Sequence, residues 1–286
     1  MRLAFLGTPE AAVPPLRALV EDGHDVAIVI TQPDRKRGRG AALVPSPVKA
    51  AATELSIPVA HNVDAVLDAD VELGVVVAFG KLIKEHVLDR VPMVNLHFSL
   101  LPRWRGAAPV ERAILAGDAE TGVCLMALDV GLDTGPVYDC VAVAVAPGET
   151  LDELRGRLVV VGTKLLRDHL REGLGVPREQ EGDSTYAAKI EPDELHLDWS
   201  QPAEQLHRVV RLGRAWTTLE GKRLLVLRAD TVDSGPPPGM VDGVVVGSGD
   251  GRGLRLDEVQ PEGRGRQSAK AWRNGLRGGG EIVLGT

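Results

Sequence analysis

An open, mainly parallel α/β sheet with helices on both faces, followed by a small C-terminal β-barrel, is the fold class predicted by this 286-residue sequence. Three observations carry that prediction. The first half alternates short apolar runs with amphipathic stretches, the rhythm of strand–helix–strand units. A segment at 172–198, rich in Gly, Pro and charge, interrupts the rhythm and suits a linker. Beyond it the apolar runs are short and closely spaced between Gly and Pro, as in a barrel. A chain of this length is expected to form two domains, here 1–175 and 200–286 joined by 176–199.

In order, strands are expected at 2–6, 25–31, 73–79, 93–97, 122–128 and 137–145, where aliphatic and β-branched residues run together. Helices fit 11–22, 46–54, 84–88, 109–116 and 150–172. Thr150 with Glu153 three residues on is a capping-box pair for the last of these. Gly7-Thr8-Pro9 reads as a tight turn into the first helix, since it lacks the three-glycine spacing of a dinucleotide fingerprint. In the second half a helix at 203–212 precedes strands at 223–229, 243–246, 254–259 and 281–284.

Composition narrows the class of protein. The chain is 44% hydrophobic but only 3% aromatic, so Val, Leu and Ala must supply most of the core. No run reaches transmembrane length, and MRLAFLGTPE has no long apolar or Arg-rich leader, so a cytoplasmic protein with no membrane partner is expected. Cys124 and Cys140 lie in apolar, strand-like stretches and read as buried, reduced core residues. The net charge of −7 argues against nucleic acid until its distribution is read. Between 31 and 49 five basic residues face one acid, 5 − 1 = +4, and from 200 to 286 thirteen face ten, 13 − 10 = +3. Two basic surfaces on an acidic body allow RNA to be gripped locally. A solvated, flexible connection is the plainer reading of 31–49.

The chemistry concentrates at Asn95-Leu96-His97, the following FSLLPRWRGAAP, and Asp133 in DVGLDTG. Asn95 and His97, two apart on a strand, leave the same face. Acyl transfer to an amine builds negative charge on the carbonyl oxygen, which a fixed amide donor stabilises. An imidazole can relay the amine's proton, and a carboxylate can fix its tautomer and favour its charged form. Ser99 is not in a nucleophile elbow, so direct transfer is favoured over a covalent intermediate. The residues alone leave two plainer readings open: a hydrogen-bonded Asn-x-His at a strand end, and a turn aspartate between glycines.

NLHFSLLPRWRGAAP together with DVGLDTGPV resembles the signature of the folate-dependent formyltransferases. That resemblance implies a Rossmann-like sheet with Asn95, His97 and Asp133 as the catalytic trio and no metal. Ser99, Leu100, Leu101 and Pro102 would shape the loop beneath the formyl group, and the folate would lie along Phe79, Gly80, Lys81, Leu82, Ile83, Leu128 and Gly131. TQPDRKRGRGAALVPSPVK at 31–49, LGTPE, AGDAETGV and VQPEGRGRQSAKAW are similar to the tRNA-acting branch of the family, and together these matches span nearly the whole chain. The implied reaction moves a formyl group from 10-formyltetrahydrofolate, a co-substrate, to the α-amine of methionine on initiator methionyl-tRNA. The implied protein is a monomer whose C-terminal domain, of the oligonucleotide-binding (OB) type, contacts the tRNA. RLGRAWTTLEG departs from the Asn-Pro-Trp-Pro-like turn of many members.

Arg35, Lys36, Arg37 and Arg39 would enter or clamp the acceptor end. Arg39 is the first candidate because Gly38 and Gly40 let its guanidinium approach closely. Arg103 and Arg105 would add phosphate contacts or pair with carboxylates, and Trp104 would pack or stack on a base. Two competing readings are a formyltransferase acting on an amino-sugar nucleotide or small purine precursor, and a catalytically silent RNA-binding protein.

Overall fold

The computed structural model describes residues 1–37, 42–276 and 281–286, with the side chains of 36, 37 and 42 left aside. The chain forms two compact units. One contains Met1–Val110, Glu120–Ala144 and Arg155–Ala188, the other Glu111–Ala119, Val145–Leu154 and Lys189–Thr286.

The chain opens with β1 (Arg2–Gly7), α1 (Val13–Glu21) and β2 (Asp25–Ile30). A hairpin of β3 (Arg35–Arg37) and β4 (Ala42–Val44) leads to α2 (Pro47–Glu54) and β5 (Val59–Ala60). Then come β6 (Leu73–Val77), α3 (Glu85–Leu88) and β7 (Met93–His97). After β8 (Arg105–Gly106) and α4 (Pro109–Ala116) the chain forms β9 (Glu120–Ala127), β10 (Val137–Ala144), α5 (Leu151–Glu172) and β11 (Tyr186–Ala187). The central sheet has the order β10-β9-β7-β6-β1-β2-β5. It is parallel from β5 to β7, with β9 and β10 added antiparallel at one edge. The short connection from β9 to β10 can only reverse direction, whereas the helical crossovers return the other strands in parallel.

Every residue of β6 and β7 is buried, as expected for strands covered on both faces. Val66, from the turn Val63–Asp68, and Val87 of α3 cluster with Ala4, Leu6, Val76 and Met93 on one face. On the other, Gly162 of α5 lies against Val123 and Leu96, where an added Cβ would meet Val123 at 3.0 Å. Asn95 and His97 share the parity of Met93, so they face away from α5. The Thr150 and Glu153 capping box forms as expected, with the Thr150 N–H donating to the Glu153 carboxylate at 2.8 Å and the Glu153 N–H to the Thr150 hydroxyl at 3.3 Å.

Two segments depart from the sequence reading. Cys124 and Cys140 are not reduced: they are register partners across β9 and β10, their Cα atoms 4.1 Å apart, and their sulfurs are bonded. Strand pairing brought them together, which the apolar character of either stretch does not disclose. The segment 176–199 is not a free connection. Arg178 and Val137 exchange backbone hydrogen bonds of 2.8 and 2.7 Å, and β11 pairs in parallel with β8, so residues 178–187 strap the first unit. These bonds satisfy backbone groups of the sheet edge and of the loop after β7.

The second unit carries α6 (Ala203–Arg211), β12 (Ala215–Leu219), β13 (Lys222–Val232), β14 (Val241–Asp242), β15 (Val245–Gly247), β16 (Gly253–Pro261), β17 (Gln267–Ser268) and α7 (Ala269–Gly275). Its antiparallel sheet runs β12-β13-β16-β15-β14, with β17 on β16. The C-terminal residues bridge its two edges: Ile282 O accepts from Val241 N–H at 2.9 Å, and Gly285 N–H donates to Thr218 O at 2.8 Å. Leu206, Val210, Val226, Leu256 and Trp272 fill the core. Trp199 is buried there with its indole N–H on Thr217 Oγ1 at 3.0 Å, which removes the cost of burying that polar atom. Among the described residues no helix is long and apolar enough to cross a membrane, and no cluster of His, Cys, Asp and Glu could hold a metal.

Candidate active site

At the carboxyl ends of β6 and β7 the sheet opens into a cleft of about 540 Å³, where parallel α/β sheets place their ligands. Asn95, His97 and Asp133 all line it. The two strand residues are almost fully buried, at 8% and 5% exposure. No hydrogen bond engages the Asn95 amide among the described residues, so its donors are free for a ligand in the cleft.

His97 is fixed differently from the sequence expectation. Its Nε2 lies 2.9 Å from the Trp104 carbonyl, and a carbonyl can only accept, so Nε2 carries the proton. Nδ1 then presents a lone pair toward Asp133 Oδ2, 3.6 Å away and beyond hydrogen-bond range. Trp104, not Asp133, therefore sets the tautomer. Burial holds the imidazole below its ordinary pKa of 6.5, opposed by the nearby Asp133 charge and by the Trp104 carbonyl.

Asp133 sits in a loop held by its own side chains. The Asp129 carboxylate accepts from Gly131 N–H at 3.0 Å and from Thr134 Oγ1 at 2.8 Å. Gly135 passes so close to the main chain that an added Cβ would lie 2.0 Å from Ala127 O. Asp133 itself has φ +53°, a left-handed conformation that Asp tolerates better than most residues. Its Oδ2 accepts the Gly106 N–H at 2.8 Å.

Of the residues expected at the folate, Phe79, Gly80, Lys81, Leu82, Ile83, Leu128 and Gly131 line the cleft. Ser99, Leu100, Leu101 and Pro102 do not line it. Ser99 is fully buried and donates to Arg103 O at 2.6 Å, so it braces the loop instead. The basic residues are dispersed. Arg35, Lys36 and Arg37 form β3, with Arg35 exposed, and Arg39 lies outside the described residues. Arg103 stacks its guanidinium over the Trp104 ring at 4.5 Å, while Arg105 turns to Gln180. Sequence reasoning missed Gly106, Asp129 and the Trp104 carbonyl. Gly106 stood in plain view in the RWRGAAP run, but a backbone donor leaves no residue-type signal.

The comparisons with known proteins agree with this fold. The chain belongs to the Formyl transferase family, which residues 1–170 match, and residues 189–277 match the Formyl transferase C-terminal domain. It is similar along its length to methionyl-tRNA formyltransferases. That of Roseobacter denitrificans is 43% identical over 96% of each chain. That of Symbiobacterium thermophilum is 40% identical over 100% of this chain and 94% of its own. Among solved structures, the N-formyltransferase of Helicobacter canadensis, in complex with folinic acid and dTDP-3-aminofucose, superposes with a TM-score of 0.70. It covers 91% of this chain and 98% of its own at 16% identity, a likeness of fold.

Proposed function

We propose that this enzyme transfers the formyl group of 10-formyltetrahydrofolate to the α-amine of methionine on initiator tRNA. The observation that carries the reading is the full-length similarity to methionyl-tRNA formyltransferases, coupled to a cleft in which Asn95, His97 and Asp133 converge. The neutral amine attacks the formyl carbon, and the Asn95 amide donates to the oxygen as it gains charge. His97 Nδ1 takes the proton the amine must lose. The resulting imidazolium lies beside the Asp133 carboxylate and returns the proton to N10 of the folate as the C–N10 bond breaks. Formyl-methionyl-tRNA and tetrahydrofolate leave, with atoms balanced and no covalent enzyme intermediate.

The folate lies along Phe79–Ile83 and beside Leu128 and Gly131. Arg35, Lys36, Arg37, Arg39 and Arg103 meet the acceptor end, and the C-terminal barrel contacts the body of the tRNA. In this reading 1–175 performs catalysis and 200–286 holds RNA, and the enzyme is a cytoplasmic monomer. The test supplies 10-formyltetrahydrofolate with methionyl initiator tRNA or with an amino-sugar nucleotide, and follows which amine acquires the formyl group by mass spectrometry. Formyl-methionine on tRNA is the expected product. Formylated sugar would move the protein to the amino-sugar branch, and no transfer to either would make it a silent RNA binder.

A further inference from the structure

We propose that Gln180 is a positioning residue for the reaction: its side-chain amide holds the Asp133 loop at the distance from His97 that proton transfer needs. This inference rests on the formyl-transfer reading above.

Gln180 Nε2 donates one hydrogen to Asp133 O at 2.9 Å and the other to Gly135 O at 2.8 Å. Its Oε1 accepts from Arg105 Nε at 3.0 Å and Nη2 at 2.7 Å. Both donors and the acceptor of one amide are thus used, and only an amide offers this combination. The guanidinium polarises the amide and strengthens the donors on its far side.

The geometry matters because Asp133 is anchored twice, by side chain and by main chain. Gly106 N–H donates to the carboxylate, and Gly106 directly follows Arg105, which holds Gln180. The strap fixes both: Arg105 N–H donates to Thr185 O at 2.9 Å, and Gly106 pairs with Ala187 in the β8–β11 ladder. One rigid piece therefore sets carboxylate and backbone together, at a residue whose φ of +53° the loop must impose. A freed loop lets the carboxylate drift from Nδ1, and a displacement of about 1 Å at such a site costs up to roughly a hundredfold in rate.

The test uses Gln180→Glu, nearly isosteric, which keeps the Arg105 pair but loses both donors, and Gln180→Met, which loses every bond without adding charge. For both we expect kcat lower by roughly ten- to a hundredfold, with KM for folate and for tRNA within about threefold of wild type. In an Asp133→Asn background the same substitutions should add less than about twofold, because the residue acts through Asp133. Amide hydrogen exchange at 131–135 should speed up roughly tenfold in Gln180→Met. Wild-type kcat in both variants, or losses that multiply in the Asp133→Asn background, overturn the proposal. Should the wild-type enzyme fail to formylate methionyl-tRNA, the reaction assigned above falls instead, and exchange at 131–135 still decides whether Gln180 holds the loop: unchanged exchange means it does not.

Discussion

His97 carries its proton on the wrong side for a donor to the cleft and the right side for a base. With Nε2 committed to Trp104 O, only Nδ1 is left to accept, and burial holds the ring below its ordinary pKa. The acid limb of the kcat profile should therefore have its midpoint below 6.5, and a midpoint above that value would remove His97 as the base. Asp133→Asn keeps the bond to Gly106 N–H but removes the charge that steadies the imidazolium. Its kcat should fall by roughly 10²–10⁴-fold while tRNA binding, read by filter retention, persists; near-full turnover would take Asp133 out of the mechanism. Spacing of two on a strand put Asn95 and His97 on one face, and Asp133 joined them only through the family resemblance; the cleft brings all three together. Trp104 O and Gly106 N–H were not legible in the sequence, since main-chain groups are the same in every residue. Gln180 lies 47 residues from Asp133, in a segment whose composition suited a linker.

Elements follow the same division between local and long-range signals. The capping box at the start of α5 was readable because both partners lie within one turn. Thr150→Ala should cost about 1 kcal/mol in urea unfolding, and no change would mean the cap is redundant. The hairpin of β3 and β4 replaces an expected loop, and Lys49 is drawn to its base, its Nζ 2.8 Å from both Asp34 oxygens. That pair removes one cation from the local excess. Arg39→Ala should raise the KM for tRNA or lower kcat without altering the KM for folate, and unchanged kinetics toward tRNA would dismiss the hairpin as a tRNA contact. The disulfide between β9 and β10 was beyond sequence reading because it depends on register, and one residue of slip would turn the two side chains to opposite faces.

Across the whole molecule, three histidines give folding a common pH dependence. His97, His24 and His207 all lie below their ordinary value of 6.5 in the folded protein, burial being the first cause in each. Above 6.5 neither state holds those protons and their contribution is complete. As pH falls below 6.5 the unfolded chain binds protons first, so stability declines until the folded values are passed. Melting temperature should thus drop between pH 7.5 and 5.5, by less in His97→Gln; an equal drop would clear His97 of the effect.

Each compact unit is assembled from three separate stretches of the chain. The chain passes between them at 110/111, 119/120, 144/145, 154/155 and 188/189. No single cleavage of the polypeptide can release either one intact, and a gene shortened after 170, where the N-terminal family match ends, would discard the strap with Gln180 while retaining every residue of the catalytic trio. In this architecture the limits of a homologous region are not the limits of a working part. A gene cut there loses the two bonds that Gln180 makes to Asp133 O and Gly135 O.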